Sequence, residues 1–264
     1  MTRSPIPDAP SPMTPSVERR IPPRLLRRSH HLIYGASKSS IRARSRPVFR
    51  KNEAMDTQIQ RRSLIAFYFG TKVATTNVTS EQAIHGVARR AYADLQRTLR
   101  GFGTHQSRSE LKRSTIASIR SFVDNLATID SQASFDAQHD HWCRTTCDTF
   151  AHHEHGSRPF SFHYGQAQKW LNMTLKYLAV LDHPDVQRLY PYLHVPVDQY
   201  VYKEAASAGV TRPVAPNAWS TLTSEKYIDY QHRLRQMVES TGEYTCPLNW
   251  EAAVWIDRTS TTTP

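Results

Sequence analysis

Apolar residues recur along most of this chain at helical spacing, with little strict alternation. Ile84, Val87, Ala91, Leu95 and Leu99 share one face of a helix that Ser80 opens and Gly101 closes. Leu111, Ile119, Phe122, Val123, Leu126 and Ile129 form the stripe of a second helix from about Ser109; Phe135, Trp142, Cys143, Cys147 and Phe150 mark a third that opens near Ser134. A central helix follows, then a loop with Pro184, Pro191 and Pro196, and a short helix from Asp198 to about Ala208. A Pro-rich loop over 211–217 precedes a helix from Ser224 to Glu239, with Tyr227, Tyr230, Leu234, Met237 and Val238 inward, and a short helix spans Trp250 to Trp255. Strand-like sequence is confined to Leu64–Phe69. The pattern predicts a mainly α protein, an irregular helical bundle.

The central helix departs from simple amphipathicity. Trp170, Leu171, Met173, Leu175, Tyr177, Leu178, Val180 and Leu181 spread over most of its circumference, whereas Lys169, Asn172 and Lys176 cluster. Such a helix is buried. A lysine on it must pair, reach water along its stem, or lose its proton and serve as a nucleophile. The acidic partner the sequence offers is Asp198.

Composition places these elements in one domain, residues 55–258, between a leader (1–54) and a disordered tail (259–264). The leader is rich in Pro, Ser and Arg, lacks periodicity and reads as disordered; the alternative is an extension upstream of a true start at Met55. Its composition resembles a transit peptide, but its prolines interrupt the amphipathic helix such a peptide needs. The net charge of +11 is uneven: residues 1–54 hold 12 lysines and arginines against Asp8, Glu18 and Glu53, while the rest holds 22 basic and 20 acidic residues. Overall charge therefore does not argue for nucleic-acid binding by the folded part, and any basic surface there must be local. No apolar run is long enough for a membrane span, so a cytoplasmic protein with no membrane partner is expected.

The segment from His139 to His155 invites a zinc reading. On a helix, however, His139, Cys143 and Cys147 lie on consecutive turns and cannot converge on one tetrahedral ion without distortion. Cys143 and Cys147 read instead as small apolar residues beside Trp142 and Phe150, and no metal or cofactor is expected. The aromatics Tyr200, Tyr202, Trp219, Tyr227, Tyr230 and Trp250 could stack on bases, but at helical spacing they read first as core.

The string Tyr164-Gly165-Gln166-Ala167-Gln168-Lys169 entering a helix resembles the hairpin of the helix-hairpin-helix DNA glycosylases, in which a glycine four residues before the nucleophilic lysine permits the turn. The later His194-Val195-Pro196-Val197-Asp198-Gln199-Tyr200-Val201 resembles their apolar-Pro-Val-Asp segment. The long insert between the two is closest to the archaeal type of 8-oxoguanine glycosylase. Ala167 replaces the second hairpin glycine, Trp170 replaces the usual threonine, and an iron-sulfur cysteine quartet is lacking.

The resemblance implies a helix-hairpin-helix-like element, DNA as partner and a role in DNA repair. Lys169 would attack C1′ of a flipped nucleotide as a neutral amine and form a Schiff base, with Asp198 assisting deprotonation or stabilising the cationic sugar. Tyr164, Gly165, Gln166, Gln168 and Asn172 would bind substrate, the amides after Gly165 holding a backbone phosphate. Each residue also has a structural explanation: Asp198 as a helix N-cap, Gly165 as a simple turn, Lys169 with Lys176 as a solvated stripe. The alternatives are a non-catalytic nucleic-acid-binding helical module or a helical interaction protein.

Overall fold

The computed structural model describes residues 48–153, 160–215 and 217–261, with side chains described for 55–256. Among these residues there are nine α-helices and no strand: α1 Val48–Phe69, α2 Ser80–Leu95, α3 Arg108–Asp124, α4 Gln132–Ala151, α5 Tyr164–Val180, α6 Pro184–Arg188, α7 Gln199–Ser207, α8 Ser224–Thr241 and α9 Pro247–Thr261. No described helix is long and apolar enough to cross a membrane.

The starts of α2 and α4 follow from side-chain caps one turn before the apolar stripes. Thr79 and Gln82 exchange hydrogen bonds in a capping box at α2, and Ser131 does the same with Ser134 at α4. Gly101, in the left-handed region at φ 87°, lies between the two short 3₁₀ turns that follow α2, Gln96–Thr98 and Phe102–Thr104, and opens the second. α2 supplies a face of Ile84, Val87, Ala88, Ala91 and Leu95, each almost fully buried, and α5 lies against it. At their crossing the Trp170 indole N–H donates to the Ala88 carbonyl at 2.9 Å and the indole sits 5.1 Å from the Tyr92 ring. α5 is thus the central, almost wholly buried helix, with α4 and α8 packed on another side.

Four expectations need correction. Leu64–Phe69 is not strand-like but the end of α1, where Leu64 and Phe67 are exposed. The loop after α5 contains α6, for which Pro184 is the first residue, a position where its missing N–H costs nothing. α9 is longer than expected and continues to Thr261, into the segment assigned to the tail; the expectations for 1–47 and 262–264 lie outside the described residues. The fourth concerns the hairpin. α4 ends at Ala151 and α5 begins at Tyr164, so the Tyr164–Lys169 string is not a tight turn between helices but the first turns of α5.

Gly165 is small for a different reason. A Cβ there would lie 1.9 Å from the Trp219 carbonyl oxygen, and the Gly165 N–H donates to the Leu222 carbonyl at 3.2 Å. The glycine lets the 219–222 turn seat directly on α5. The next two amides, Gln166 and Ala167, donate to the His163 carbonyl at 2.9 and 3.1 Å, so none of the three is available to a phosphate.

Candidate functional site

The buried lysine is paired. Lys169 Nζ lies 2.8 Å from Asp198 Oδ2 and donates to the Pro196 carbonyl at 3.1 Å, with only 9% of its side chain exposed. The other carboxylate oxygen, Asp198 Oδ1, accepts from the Tyr200 and Val201 N–H groups at 2.8 and 3.0 Å and so caps α7. One carboxylate therefore starts a helix and holds the amine.

What delivers Asp198 to that place is a pair of glutamine side chains. The 194–197 segment passes buried between α5 and α8, where its backbone groups have no strand to pair with. Gln168 on α5 accepts from the Val197 N–H at 3.3 Å and donates to the Val197 carbonyl at 2.9 Å. Gln231 on α8 does the same at Val195, at 3.2 and 2.7 Å. Each amide side chain acts as a one-residue strand partner, and Gln168 fixes the register immediately beside Lys169.

A directional chain of hydrogen bonds supports Gln168 from behind. Asn172 donates to Gln168 Oε1 at 3.1 Å and to the Tyr227 hydroxyl at 2.7 Å; its own oxygen accepts from His139 Nε2 at 2.9 Å. The Tyr227 hydroxyl donates to His194 Nδ1 at 2.9 Å, and His194 Nε2 donates to Asp136 Oδ1 at 2.8 Å. Arg235 closes the chain with two bonds to Asp136, at 3.1 and 2.6 Å. Every donor and acceptor in this set is used consistently when both imidazoles are neutral. Burial, reinforced at His139 by the neighbouring His194, lowers both imidazole pKa values; for His194 it outweighs the opposing effect of Asp136. Burial alone would raise the Asp136 carboxyl, but hydrogen bonds from His194 and Arg235 outweigh it and hold the group well below its ordinary value.

Lys169 and Asp198 border a groove of about 790 Å³ whose wall comes from α2, α5, α7 and α9, with Tyr68 of α1. Along it Arg90 pairs with Asp94 at 3.2 Å, Lys176 pairs with Glu251, and the Tyr177 hydroxyl donates to Asp94 at 2.6 Å. Tyr200 and Trp255 meet edge to face at 5.7 Å on the lip, each about half exposed. The arrangement offers a primary amine with an adjacent proton acceptor, beside aromatic surface that a planar ring could contact.

Of the residues expected at a site, the structure brings Lys169 and Asp198 together at the groove. The others lie behind it. Tyr164 is buried with its ring 5.4 Å from that of Tyr227, Gly165 underlies the 219–222 turn, and Gln166 reaches back to the His163 N–H and the Thr98 carbonyl. Gln168 and Asn172 belong to the buried network that holds the segment before Asp198, and none of these five residues lines the groove. Arg90, Arg97, Glu204, Glu251, Trp255 and Tyr68 line the groove without having been singled out; they come from distant elements and carry no shared sequence signal.

Of the sequence aromatics, Tyr202, Tyr227, Tyr230 and Trp250 are core and Tyr200 faces the groove. His139 is engaged with Asn172, and Cys143 Sγ lies 3.8 Å from His139 Nδ1; no group of three potential metal ligands is found among the described residues. His155 lies outside them. No family model, curated protein or solved structure matches the chain.

Proposed function

We propose that the protein is a DNA glycosylase and abasic-site lyase that works through a Schiff-base lysine. The observation that carries this reading is the buried Lys169 amine held 2.8 Å from Asp198 at the edge of a groove. The likeness of the two sequence segments that supply these residues supports it. An ammonium has three donors, of which two are engaged by Pro196 and Asp198.

Transfer of a proton from Nζ to Asp198 leaves a lone pair that attacks C1′ of a flipped nucleotide. The bond from C1′ to the base breaks, its electron pair leaves with the base, and the base takes up a proton. Opening of the sugar then gives a C1′=Nζ imine, and loss of a C2′ proton expels the 3′ phosphate. The proton taken up by the base is the one Asp198 received from Nζ, and the carboxylate so restored stabilises the cationic sugar. The Tyr200–Trp255 lip would contact the displaced base.

Borohydride reduction converts the imine to a stable protein–DNA adduct and so tests the reading directly. Wild-type protein should trap on duplexes carrying an abasic site or 8-oxoguanine. Lys169→Gln should give no adduct while DNA affinity stays near normal, because only the covalent step is removed. Asp198→Asn should bind and turn over slowly; its melting curve must be followed in parallel because a weakened cap costs about 1 kcal/mol. An absence of adduct with every such substrate, or equal trapping by Lys169→Gln, would leave Lys169 and Asp198 as a structural pair behind a non-catalytic surface.

A further inference from the structure

A second groove, about 1000 Å³, runs beside the first between α2, α3 and the turn after α1. Lys72, Arg89, Arg108 and Lys112 line it, and Glu81 is the only carboxylate among its lining residues. Glu81 is already bonded to Arg120. No carboxylate lies within bridging distance of the four cations among the described residues, and all four line this one concavity.

Gathering like charges in a concavity opposes folding unless something else is gained. The cost is visible at Lys112. Its ammonium is half-buried 4.2 Å from the centre of the Tyr92 ring, and burial, followed by the charges of Arg89 and Arg108, lowers its pKa. Residues 55–264 are almost neutral as a whole, so this concentration is a matter of placement and not of composition. A single phosphate cannot balance four cations, which calls for a ligand with repeated negative charge. Tyr68, Arg90, Ala93 and Gln96 line both grooves, so an extended ligand can pass from the cation cluster to Lys169 and the Tyr200–Trp255 lip. Phosphates at one end and planar rings at the other are the features of a nucleic-acid strand.

We infer that the α2–α3 groove is the track that holds the sugar–phosphate backbone of a nucleic-acid strand leading to the Lys169 groove. Its role as a substrate-binding surface rests on the Lys169 reading, but the cation cluster would hold a strand whether or not chemistry follows.

The test is anisotropy of a short fluorescent DNA, single-stranded and duplex, with the full chain over a series of salt concentrations. Because residues 1–54 are themselves basic, the comparison between variants decides the outcome. Arg89→Gln with Arg108→Gln should weaken binding roughly ten-fold and lower the slope of log affinity against log salt by about 1.5, the loss expected for two phosphate contacts. Arg100→Gln with Arg113→Gln removes the same charge outside the groove and should leave both quantities near wild type. Equal weakening by the two pairs, or no weakening by the first, overturns the track. So does displacement of a labelled ATP by inorganic phosphate in a protein without DNA affinity, since the groove would then be a small-anion site. Adduct formation is scored separately: a trapped adduct that survives Arg89→Gln with Arg108→Gln at unchanged affinity spares Lys169 and sinks the track, while track-dependent affinity without any adduct does the reverse.

Discussion

Gly165→Ala is expected to destabilise the protein by about 3 kcal/mol, the upper part of the range for inserting a methyl group into packed surroundings. The new Cβ would lie 1.9 Å from the Trp219 carbonyl oxygen and 2.9 Å from the Ser220 carbonyl carbon, both backbone atoms that no rotamer change can move aside. Relief requires the 219–222 turn to lift from α5, which also stretches the Gly165 to Leu222 hydrogen bond. Gly103→Ala is the control, because a Cβ at Gly103 meets nothing within 4 Å. Urea unfolding should show a lower midpoint with an unchanged slope for Gly165→Ala and a midpoint near wild type for Gly103→Ala. A Gly165→Ala protein as stable as its parent would mean that the turn is not seated on the helix.

Asp136→Ala should cost about 3–5 kcal/mol, since it leaves the Arg235 guanidinium and the His194 Nε2–H without their acceptor in a largely buried place. The same cluster sets the response to acid. His139 and His194 are held below their ordinary value of 6.5 when folded, so on acidification the unfolded chain takes up protons first. Their contribution to stability is therefore full above pH 6.5 and is lost as pH falls toward the folded-state values. Asp136, held below its ordinary 3.8, adds a second loss that begins near that pH and deepens below it. The unfolding midpoint should accordingly fall between about pH 7.5 and about pH 5, and His139→Asn should flatten that fall. A profile already flat in wild type would mean that the imidazoles are not held neutral.

Much of the helical order was legible because apolar residues at three- and four-residue spacing have few other ways to be buried. The lysine on an all-apolar helix was legible too: its surroundings demanded a partner, and Asp198 is that partner. Six apolar or aromatic residues at Leu64–Phe69 fit strand and helix equally well, and only the turns of α1 before them decide the case. Pro184 reads as a breaker until its place as first residue of α6 is known. Gly165 was given a turn because glycine often marks one, whereas its smallness answers to a backbone more than fifty residues away. Gln168 and Asn172 were expected to meet substrate and Gln231 was not expected at all, since a glutamine that stands in for a strand looks like any other until the buried segment it serves is seen. The basic groove was hidden for a related reason: total charge is silent about where charges meet.

The division of labour within Asp198 ties the lysine to the mobility of its surroundings. With Oδ1 on the amides of Tyr200 and Val201 and Oδ2 on Nζ, anything that draws the carboxylate toward or away from the amine also tightens or loosens the first turn of α7. That turn carries Tyr200 into the lip of the groove. Hydrogen exchange at those two amides is therefore a label-free reporter of the state of Lys169, and occupancy at the amine would be felt at the entrance as a change in how often the door stands ajar.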